Sequence, residues 1–300
     1  MATRTEPGAI YAGVELGGTK CIAVLAREPH EIIAREIVPT TSPDETLGAL
    51  ERILLGWGET HEFRTLGIAS FGPVDLHPDS PTWGHVLNTT KPGWNGADIA
   101  PRLAERFGVP VKFETDVNGA ALAEMRWGSG RDMADFAYVT VGTGVGVGLI
   151  VNGAPTRGFL HCELGHIRVA QLAGEEWSGI CPFHGACVEG LASGPAIEAR
   201  IAPRSYDQVA SDDRIWDSVA WALAQLCHTI VCAAAPGAIA IGGGVMLRQP
   251  HLLPRIERML VESLTDFMPL PRTERYLVAP ALGRNAGPLG AIAVAMDALA

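Results

Sequence analysis

A β-hairpin with a glycine-rich bend occurs twice in this 300-residue chain, and this duplication constrains the fold most strongly. The first hairpin starts at Ile10 and bends at Gly17-Gly18, and the second starts near Phe136 and bends at Gly142–Gly146. The first is followed by a predicted strand at 31–38, a helix capped by Asp44, a strand at 66–70, a helix at 98–107 and a strand at 111–114. The sequence therefore predicts an α/β protein with two lobes that repeat a βββαβαβα plan.

Composition excludes several classes of protein. Hydrophobic residues make up 47% of the chain and charged residues 19%, which excludes disorder. The net charge of −10, without a run of five like charges, disfavours nucleic acid as a ligand. Six cysteines in a chain of this length argue against a disulfide framework. Because no apolar leader is visible, we expect a cytoplasmic protein.

One uncharged stretch, residues 218–245, is long enough to cross a bilayer. Polar residues, Pro236 and the triplet Gly242–Gly244 interrupt it. We therefore expect a buried helix over about 212–235 and then a buried strand, and no membrane span. The predicted core positions of this helix are Trp216, Val219, Leu223, Leu226, Ile230 and Val231.

Three glycine turns suit phosphates or a nucleoside. In the first, Gly17 and Gly18 expose backbone N–H groups, Thr19 adds a hydroxyl and Lys20 adds charge, while Glu15 is placed to hold a metal ion through water. An ordinary β-turn is the alternative. The second turn again carries a hydroxyl, on Thr143 beside Gly144, and the third offers Gly242 and Gly243 as a flat surface for a nucleoside. Together they predict a nucleotide held between the lobes.

Asp116 lies where the strand 111–114 ends and a helix begins. Ligands of α/β proteins usually bind at this end of a strand. Two roles are open at this position: an N-cap of the helix, or the general base that takes a proton from a sugar hydroxyl during phosphoryl transfer.

A metal site is predicted at His166, Cys181, His184 and Cys187. Sulfur and imidazole ligands in a loop are typical of closed, structural zinc sites. Cys162 and His161 compete for the fourth position, and buried thiols beside a surface histidine are the alternative. Glu163 and Glu189 flank the site and are candidates for binding neutral polyol hydroxyls, or else are solvated loop carboxylates.

These motifs together resemble the ROK family of sugar kinases, which has the actin/hexokinase-like ATPase fold. The resembling segments run from about Gly13 to Ala291 and include Glu15–Lys20, Gly142–Gly146, Glu163–His166 and Cys181–Glu189. Other segments, among them Lys91-Pro-Gly-Trp and Cys181-Pro-Phe-His, resemble the fructokinase branch.

The resemblance implies a role for each matching residue. Asp116 would be the catalytic base and a sugar contact, and Thr19 and Thr143 would meet the phosphates of ATP. His166 would bind both zinc and sugar. The remaining implied contacts are Gly17, Gly18, Lys20, Gly144, Gly242 and Gly243 for nucleotide and Asn88, Glu163 and Glu189 for sugar.

Three departures from the family pattern affect these roles. Glu15 stands where Asp is common, so its link to magnesium is an open question. His184 replaces a cysteine of the usual zinc pattern, as in fructokinase-like members. Thr115 stands where Asn often precedes the catalytic Asp, which leaves open whether Thr115 or Asn118 supplies a sugar contact.

We therefore expect an ATP- and Mg²⁺-dependent hexose kinase with a structural zinc ion that phosphorylates fructose, forms a homodimer, and binds neither nucleic acid nor membrane. A mannose or glucose kinase is one alternative, and a non-catalytic sugar-sensing regulator is another. The expected lobes are residues 1–115 with 285–300, which form the small N-terminal lobe, and residues 116–284, which carry the zinc loop and nucleotide-binding elements.

Overall fold

The computed structural model describes residues 8–27, 30–271 and 275–299 and divides into two compact units. Unit 1 comprises Met1–Arg131, Thr156–His161 and Arg284–Ala300, and unit 2 comprises Asp132–Pro155 and Cys162–Gly283. Residues 1–7 and Ala300, at the ends of the expected first lobe, lie outside the described residues.

Unit 1 is built on a five-stranded sheet. Its strands are β1 (Ile10–Leu16), β2 (Lys20–Arg27), β3 (Glu31–Pro39), β4 (Leu66–Ser70) and β5 (Val111–Thr115), in the order β3-β2-β1-β4-β5. Its helices are α1 (Pro43–Gly58), α2 (Ala100–Phe107), α3 (Asp116–Trp127) and, from the end of the chain, α9 (Ala286–Met296). Strand β1 pairs antiparallel with β2 and parallel with β4, so the first hairpin lies at the centre of the sheet.

Unit 2 repeats this plan. Its strands are β6 (Phe136–Val141), β7 (Val145–Val151), β8 (Ala154–Pro155), β9 (Ile239–Gly242) and β10 (Leu277–Val278), in the order β8-β7-β6-β9-β10. Its helices are α4 (Val188–Ala192), α5 (Gly194–Ile201), α6 (Ile215–Ala234), α7 (Gly244–Arg248) and α8 (Leu252–Leu264). Because β6 pairs antiparallel with β7 and parallel with β9, the second hairpin has the same place in its sheet as the first. The predicted duplication is therefore confirmed.

Helix α6 is the long apolar segment that was expected to be buried. It is the one helix in the described part of the chain that is long and apolar enough to cross a membrane, and 67% of its apolar window is buried. All six predicted core positions are buried in unit 2, where they pack with the sheet and α8. Burial of each such side chain contributes about 1.5–3 kcal/mol to the free energy of folding. Six of them on one helix therefore favour a position of α6 in the core of unit 2.

Two helix starts differ from the prediction. Ser42, rather than Asp44, caps α1, because its hydroxyl accepts a hydrogen bond from the Glu45 N–H at 3.4 Å and Pro43 then occupies the first helical position. Helix α2 begins at Ala100, two residues later than expected.

The division between the units follows Arg131, so α3 lies in unit 1, whereas the expected boundary followed residue 115. Helices α3 and α9 pack backbone against backbone: a Cβ added to Gly290 would lie 2.5 Å from the carbonyl carbon of Gly119. Helix α3 is the last helix of the first copy of the plan and α9 is the last helix of the second copy, so the closing helices of both copies pack against each other in unit 1.

Candidate active site

The first glycine turn joins β1 to β2 in unit 1. The Gly17 N–H donates to the Lys20 carbonyl at 3.1 Å, and the Thr40 hydroxyl donates to the Gly17 carbonyl at 2.7 Å. Lys91, which sequence reasoning did not single out for the site, donates its ammonium to the Gly18 carbonyl. Thr19 and Lys20 are exposed. These hydrogen bonds therefore fix the backbone of the turn, while the Thr19 hydroxyl and the Lys20 charge face solvent.

Glu15 is partly buried at the end of β1, beside this turn. Burial and the nearby charge of Asp116 raise the pKa of Glu15 to about 7, although Lys20 and Arg35 act in the opposite direction. Within the described residues its Oε2 is buried and has no hydrogen-bond partner. A carboxylate oxygen of this kind suits a hard divalent cation such as Mg²⁺, directly or through water.

Gly287, at the start of α9, provides the space that Glu15 occupies. A Cβ at this position would overlap Oε1 of Glu15 and lie 2.7 Å from Oε2. We expect Gly287→Ala to displace the carboxylate, to cost about 1–3 kcal/mol of stability through overpacking, and to lower kcat about tenfold or more. Gly56→Ala in α1 is the matched control, since a Cβ there meets nothing within 4 Å. Thermal melts measure the stability of both variants, and initial rates measure their kcat. Equal kcat values for Gly287→Ala and Gly56→Ala would contradict the prediction.

Asp116 is the first residue of α3, and it does not cap the helix. The cap is Thr115, whose hydroxyl accepts from the Asn118 N–H at 3.2 Å. The Oδ1 of Asp116 accepts from the Val117 N–H at 2.9 Å, which fixes the carboxylate at the helix start. Burial raises the pKa of Asp116 to about 6. The N-cap interpretation of Asp116 is therefore wrong, and its geometry suits a general base.

Glu114, which sequence reasoning missed, organises the residues around Asp116. It is almost fully buried, its Oε1 accepts from the Thr115 N–H and from Asn118 Nδ2, both at 2.9 Å, and its Oε2 forms an ion pair with Arg157 at 2.7 Å. Thr115 and Asn118 are buried, and each side chain has a hydrogen-bond partner within the protein. Asn88 is exposed on the loop between β4 and α2.

The second glycine turn joins β6 to β7 in unit 2. The Gly142 N–H donates to the Gly144 carbonyl at 2.8 Å, and the Gly194 N–H at the start of α5 donates to the Gly142 carbonyl at 2.7 Å. Thr143 is exposed at the tip, as Thr19 is in the first turn. The two turns therefore share both their place in the sheet and their exposed hydroxyl.

The third turn lies directly against the end of β6. Gly243 has φ +94°, and a Cβ there would overlap the Val141 carbonyl oxygen and lie 2.6 Å from the Val141 nitrogen. Only glycine fits this position, and Val141 immediately precedes the second turn. Gly242 is buried against Pro280. Unit 2 thus brings together two of the three glycine turns predicted to contact the nucleotide.

His166, Cys181, His184 and Cys187 converge as predicted, with one ligand atom from each within 4.8 Å of all the others. His166 Nδ1 lies 3.7 Å from Sγ of both cysteines, and His184 Nδ1 lies 3.7 Å from Sγ of Cys181. Tetrahedral zinc bonds of usual length separate sulfur and nitrogen ligands by about 3.6 Å, so these atoms fit zinc. His161 lies in unit 1, where its Nε2 accepts from the Val74 N–H at 3.1 Å, and Cys162 is outside the four.

The second imidazole nitrogen of His166 faces the two carboxylates predicted to bind sugar. Its Nε2 lies 4.0 Å from Oε2 of Glu163 and 3.9 Å from Oε1 of Glu189. Both carboxylates are partly exposed, with 39% and 28% of the side-chain surface accessible. These three side chains therefore form one polar group beside the cysteine–histidine cluster.

Comparison with known proteins agrees with this geometry. The chain is 36% identical over 290 residues to a fructokinase from Pediococcus pentosaceus, with 97% of this chain and 99% of the relative covered. It is 39% identical over 295 residues to a fructokinase from Zymomonas mobilis, with 96% and 97% covered. The structure matches a ROK family glucokinase from Streptomyces griseus, solved with glucose and AMPPNP, at 26% identity and a TM-score of 0.77, covering 96% of this chain and 100% of that one.

These likenesses confirm the expected α/β architecture and its actin/hexokinase-like ATPase fold. The ROK family model matches residues 11–298, so the chain belongs to the ROK family.

Proposed function

We propose that this protein is an ATP-dependent fructokinase, a phosphotransferase that converts fructose and ATP to fructose 6-phosphate and ADP. The observation that carries the proposal is the 34–39% identity to fructokinases over nearly the whole chain, against 28–31% to glucokinases. The site supplies the groups that such a reaction needs: a fixed carboxylate, glycine turns with exposed hydroxyls, and polar side chains for a neutral sugar.

Asp116 acts as the general base. Its carboxylate takes the proton from the primary hydroxyl of fructose as that oxygen attacks the γ-phosphorus and the bond to the β,γ-bridging oxygen of ATP breaks. The Val117 N–H holds the carboxylate in place, and the pKa of about 6 leaves it ionised at neutral pH. A base with this pKa is strong enough to accept the proton and weak enough to be free of it beforehand.

The glycine turns bind the nucleotide. Backbone N–H groups near Gly17, Gly18 and Gly144, with the hydroxyls of Thr19 and Thr143, contact phosphate oxygens, and Lys20 adds positive charge. Gly242 and Gly243 line the nucleoside site. Glu15, whose buried Oε2 has no hydrogen-bond partner among the described residues, would hold Mg²⁺, and the ion would supply positive charge near the transferred phosphoryl group.

Glu163, Glu189, His166 and Asn88 bind the hexose. His166, Cys181, His184 and Cys187 would hold zinc, and Nε2 of His166 would then donate to a sugar hydroxyl while Nδ1 faces the two cysteines. Such an ion would have a structural role, because four protein ligands leave no position for substrate. It would fix His166 and the segment that leads to Glu189.

We further propose a cytoplasmic homodimer that binds neither nucleic acid nor membrane. All six cysteines are free, which suits a reducing compartment, and the net charge of −10 disfavours binding to phosphate backbones. The family resemblance suggests the dimer, and light scattering on purified protein would measure it.

A panel of hexoses with ATP tests the substrate. Initial rates of ADP release are measured with fructose, mannose and glucose, and we expect kcat/KM for fructose to exceed the others by about tenfold or more. A higher value for mannose or glucose would assign the alternative kinase. No ADP release above the sugar-free rate with any hexose would instead assign a non-catalytic sugar-sensing regulator.

A further inference from the structure

Within unit 2, Glu189 faces both the second glycine turn, which is proposed to bind nucleotide, and His166, which is proposed to bind sugar. Its Oε2 accepts a hydrogen bond from the Val145 N–H at 3.1 Å, immediately after the second glycine turn. Its Oε1 lies 3.9 Å from His166 Nε2. The two oxygens of one carboxylate therefore face two different parts of the site.

The backbone around this contact is shaped to admit the carboxylate. A Cβ on Gly144 would lie 2.5 Å from Oε2 of Glu189, so glycine at this position makes room for the side chain. A Cβ on Gly165, one residue before His166, would overlap the Val145 carbonyl oxygen. The second turn and the residue after it are thus packed against both Glu189 and the short 3-10 turn Leu164–His166.

We propose that Glu189 is a positioning residue that couples the hexose site to the nucleotide turn. Through the Val145 N–H it holds the second glycine turn in the conformation that binds phosphate, and through its other oxygen it responds to His166 and the bound hexose. Each ligand then changes the affinity for the other by the same factor, since coupling between two sites is reciprocal. This inference rests on the proposed kinase function.

Nucleotide binding without sugar separates this role from plain sugar binding. Calorimetry with a non-hydrolysable ATP analogue and Mg²⁺ is expected to give a Kd that rises about fivefold or more in Glu189→Ala, even with no hexose present. In the wild-type protein, fructose is expected to tighten analogue binding by about fivefold or more, and in Glu189→Ala this factor falls to near one. An unchanged or lower sugar-free Kd in Glu189→Ala would overturn the proposal.

Conservative variants show whether the hydrogen bond carries the effect. Glu189→Gln keeps an acceptor for the Val145 N–H, so its sugar-free Kd should remain within about twofold of the wild-type value. Glu189→Asp keeps the charge but is one methylene shorter, so its sugar-free Kd should rise by more than about twofold. The opposite order would overturn the proposal, and this comparison stands even if Glu189→Ala does not fold. Zinc content is measured in every variant, and any variant that has lost zinc is excluded from the comparison.

Asn88→Ala is the matched control, because Asn88 is a proposed sugar ligand that lies in unit 1 and is not assigned a catalytic role. It should raise the hexose KM and leave the sugar-free Kd of the analogue unchanged. The proposed function is judged separately, by whether the wild-type protein releases ADP with fructose. A wild-type protein that fails this assay can still show the sugar-free effect of Glu189→Ala on analogue binding.

Discussion

Asp116→Asn is expected to lower kcat/KM for fructose by about 10²–10⁴-fold, because a positioned general base contributes a factor of this size. The amide keeps the shape of the side chain and an oxygen that can accept from the Val117 N–H, but it cannot take up the proton of the hydroxyl. Nucleotide affinity should remain within about twofold, since Asp116 is not assigned a nucleotide contact. Coupled ADP release gives the rates, and calorimetry with a non-hydrolysable ATP analogue gives the affinity.

Stability provides the control for this variant. Burial raises the folded-state pKa of Asp116 from 3.8 to about 6, so the folded protein binds more protons than the unfolded chain between those values. Stability therefore falls as pH rises through this window, and the ionised carboxylate costs stability above about pH 6. At pH 7 we expect Asp116→Asn to melt a few degrees higher than the wild-type protein. A variant that keeps more than about a tenth of the activity would exclude Asp116 as the base.

The pH dependence of kcat/KM in the wild-type protein also reports the ionisation of Asp116. Because Glu15, with a pKa of about 7, must be ionised to hold Mg²⁺, and Asp116, with a pKa of about 6, must be ionised to act as the base, kcat/KM should fall about tenfold per pH unit below pH 7 and more steeply below pH 6. The residual activity of Asp116→Asn should keep only the shallower decrease that Glu15 causes. An equally steep decrease below pH 6 in the variant would assign the second ionisation to a group other than Asp116.

Much of the fold could be predicted from the sequence because its patterns are long and local. The two hairpins carry apolar runs on both sides of a glycine bend, and α6 places six apolar residues at helical spacing over 20 residues. Strands β8 and β10 were not predicted, since each has two residues and owes its pairing to the sheet beside it. The boundary after Arg131 depends on the contact of Gly119 with Gly290, which lie far apart in the sequence.

The candidate site was predictable where its residues cluster in the sequence. Cys181, His184 and Cys187 lie on one loop, and their spacing predicts them as metal ligands. The fourth position had several candidates, and in the structure His166 is the one whose ring nitrogen lies within 4.8 Å of the other three ligand atoms. The pattern places a cap at Asp44 rather than Ser42 and leaves the role of Asp116 open, because serine, threonine and aspartate all cap well and here lie within two residues of one another. Glu114 gave no signal, since its partner Arg157 is 43 residues away and nothing local links the two.

Cys181→Ser is expected to remove the metal. Wild-type protein purified without chelator should contain about one zinc ion per chain by elemental analysis, and the variant close to none, because the hydroxyl of serine is a poor zinc ligand. Since His166 is one of the four proposed ligands and Glu189 follows Cys187 by two residues, loss of the metal should lower kcat/KM for fructose by about 10–100-fold or more. Elemental analysis, thermal melts and the coupled assay measure these effects.

Cys232→Ser is the matched control, because Cys232 is exposed on α6 and lies outside the four ligands. It should keep the zinc ion, the melting temperature and the activity of the wild-type protein. A wild-type protein that is folded and fully active without metal would refute the structural role of zinc. Each of the two cysteine variants loses a single sulfur atom, but only Cys181→Ser should lose the ion. The comparison therefore distinguishes a thiol that binds the metal from an exposed thiol that does not.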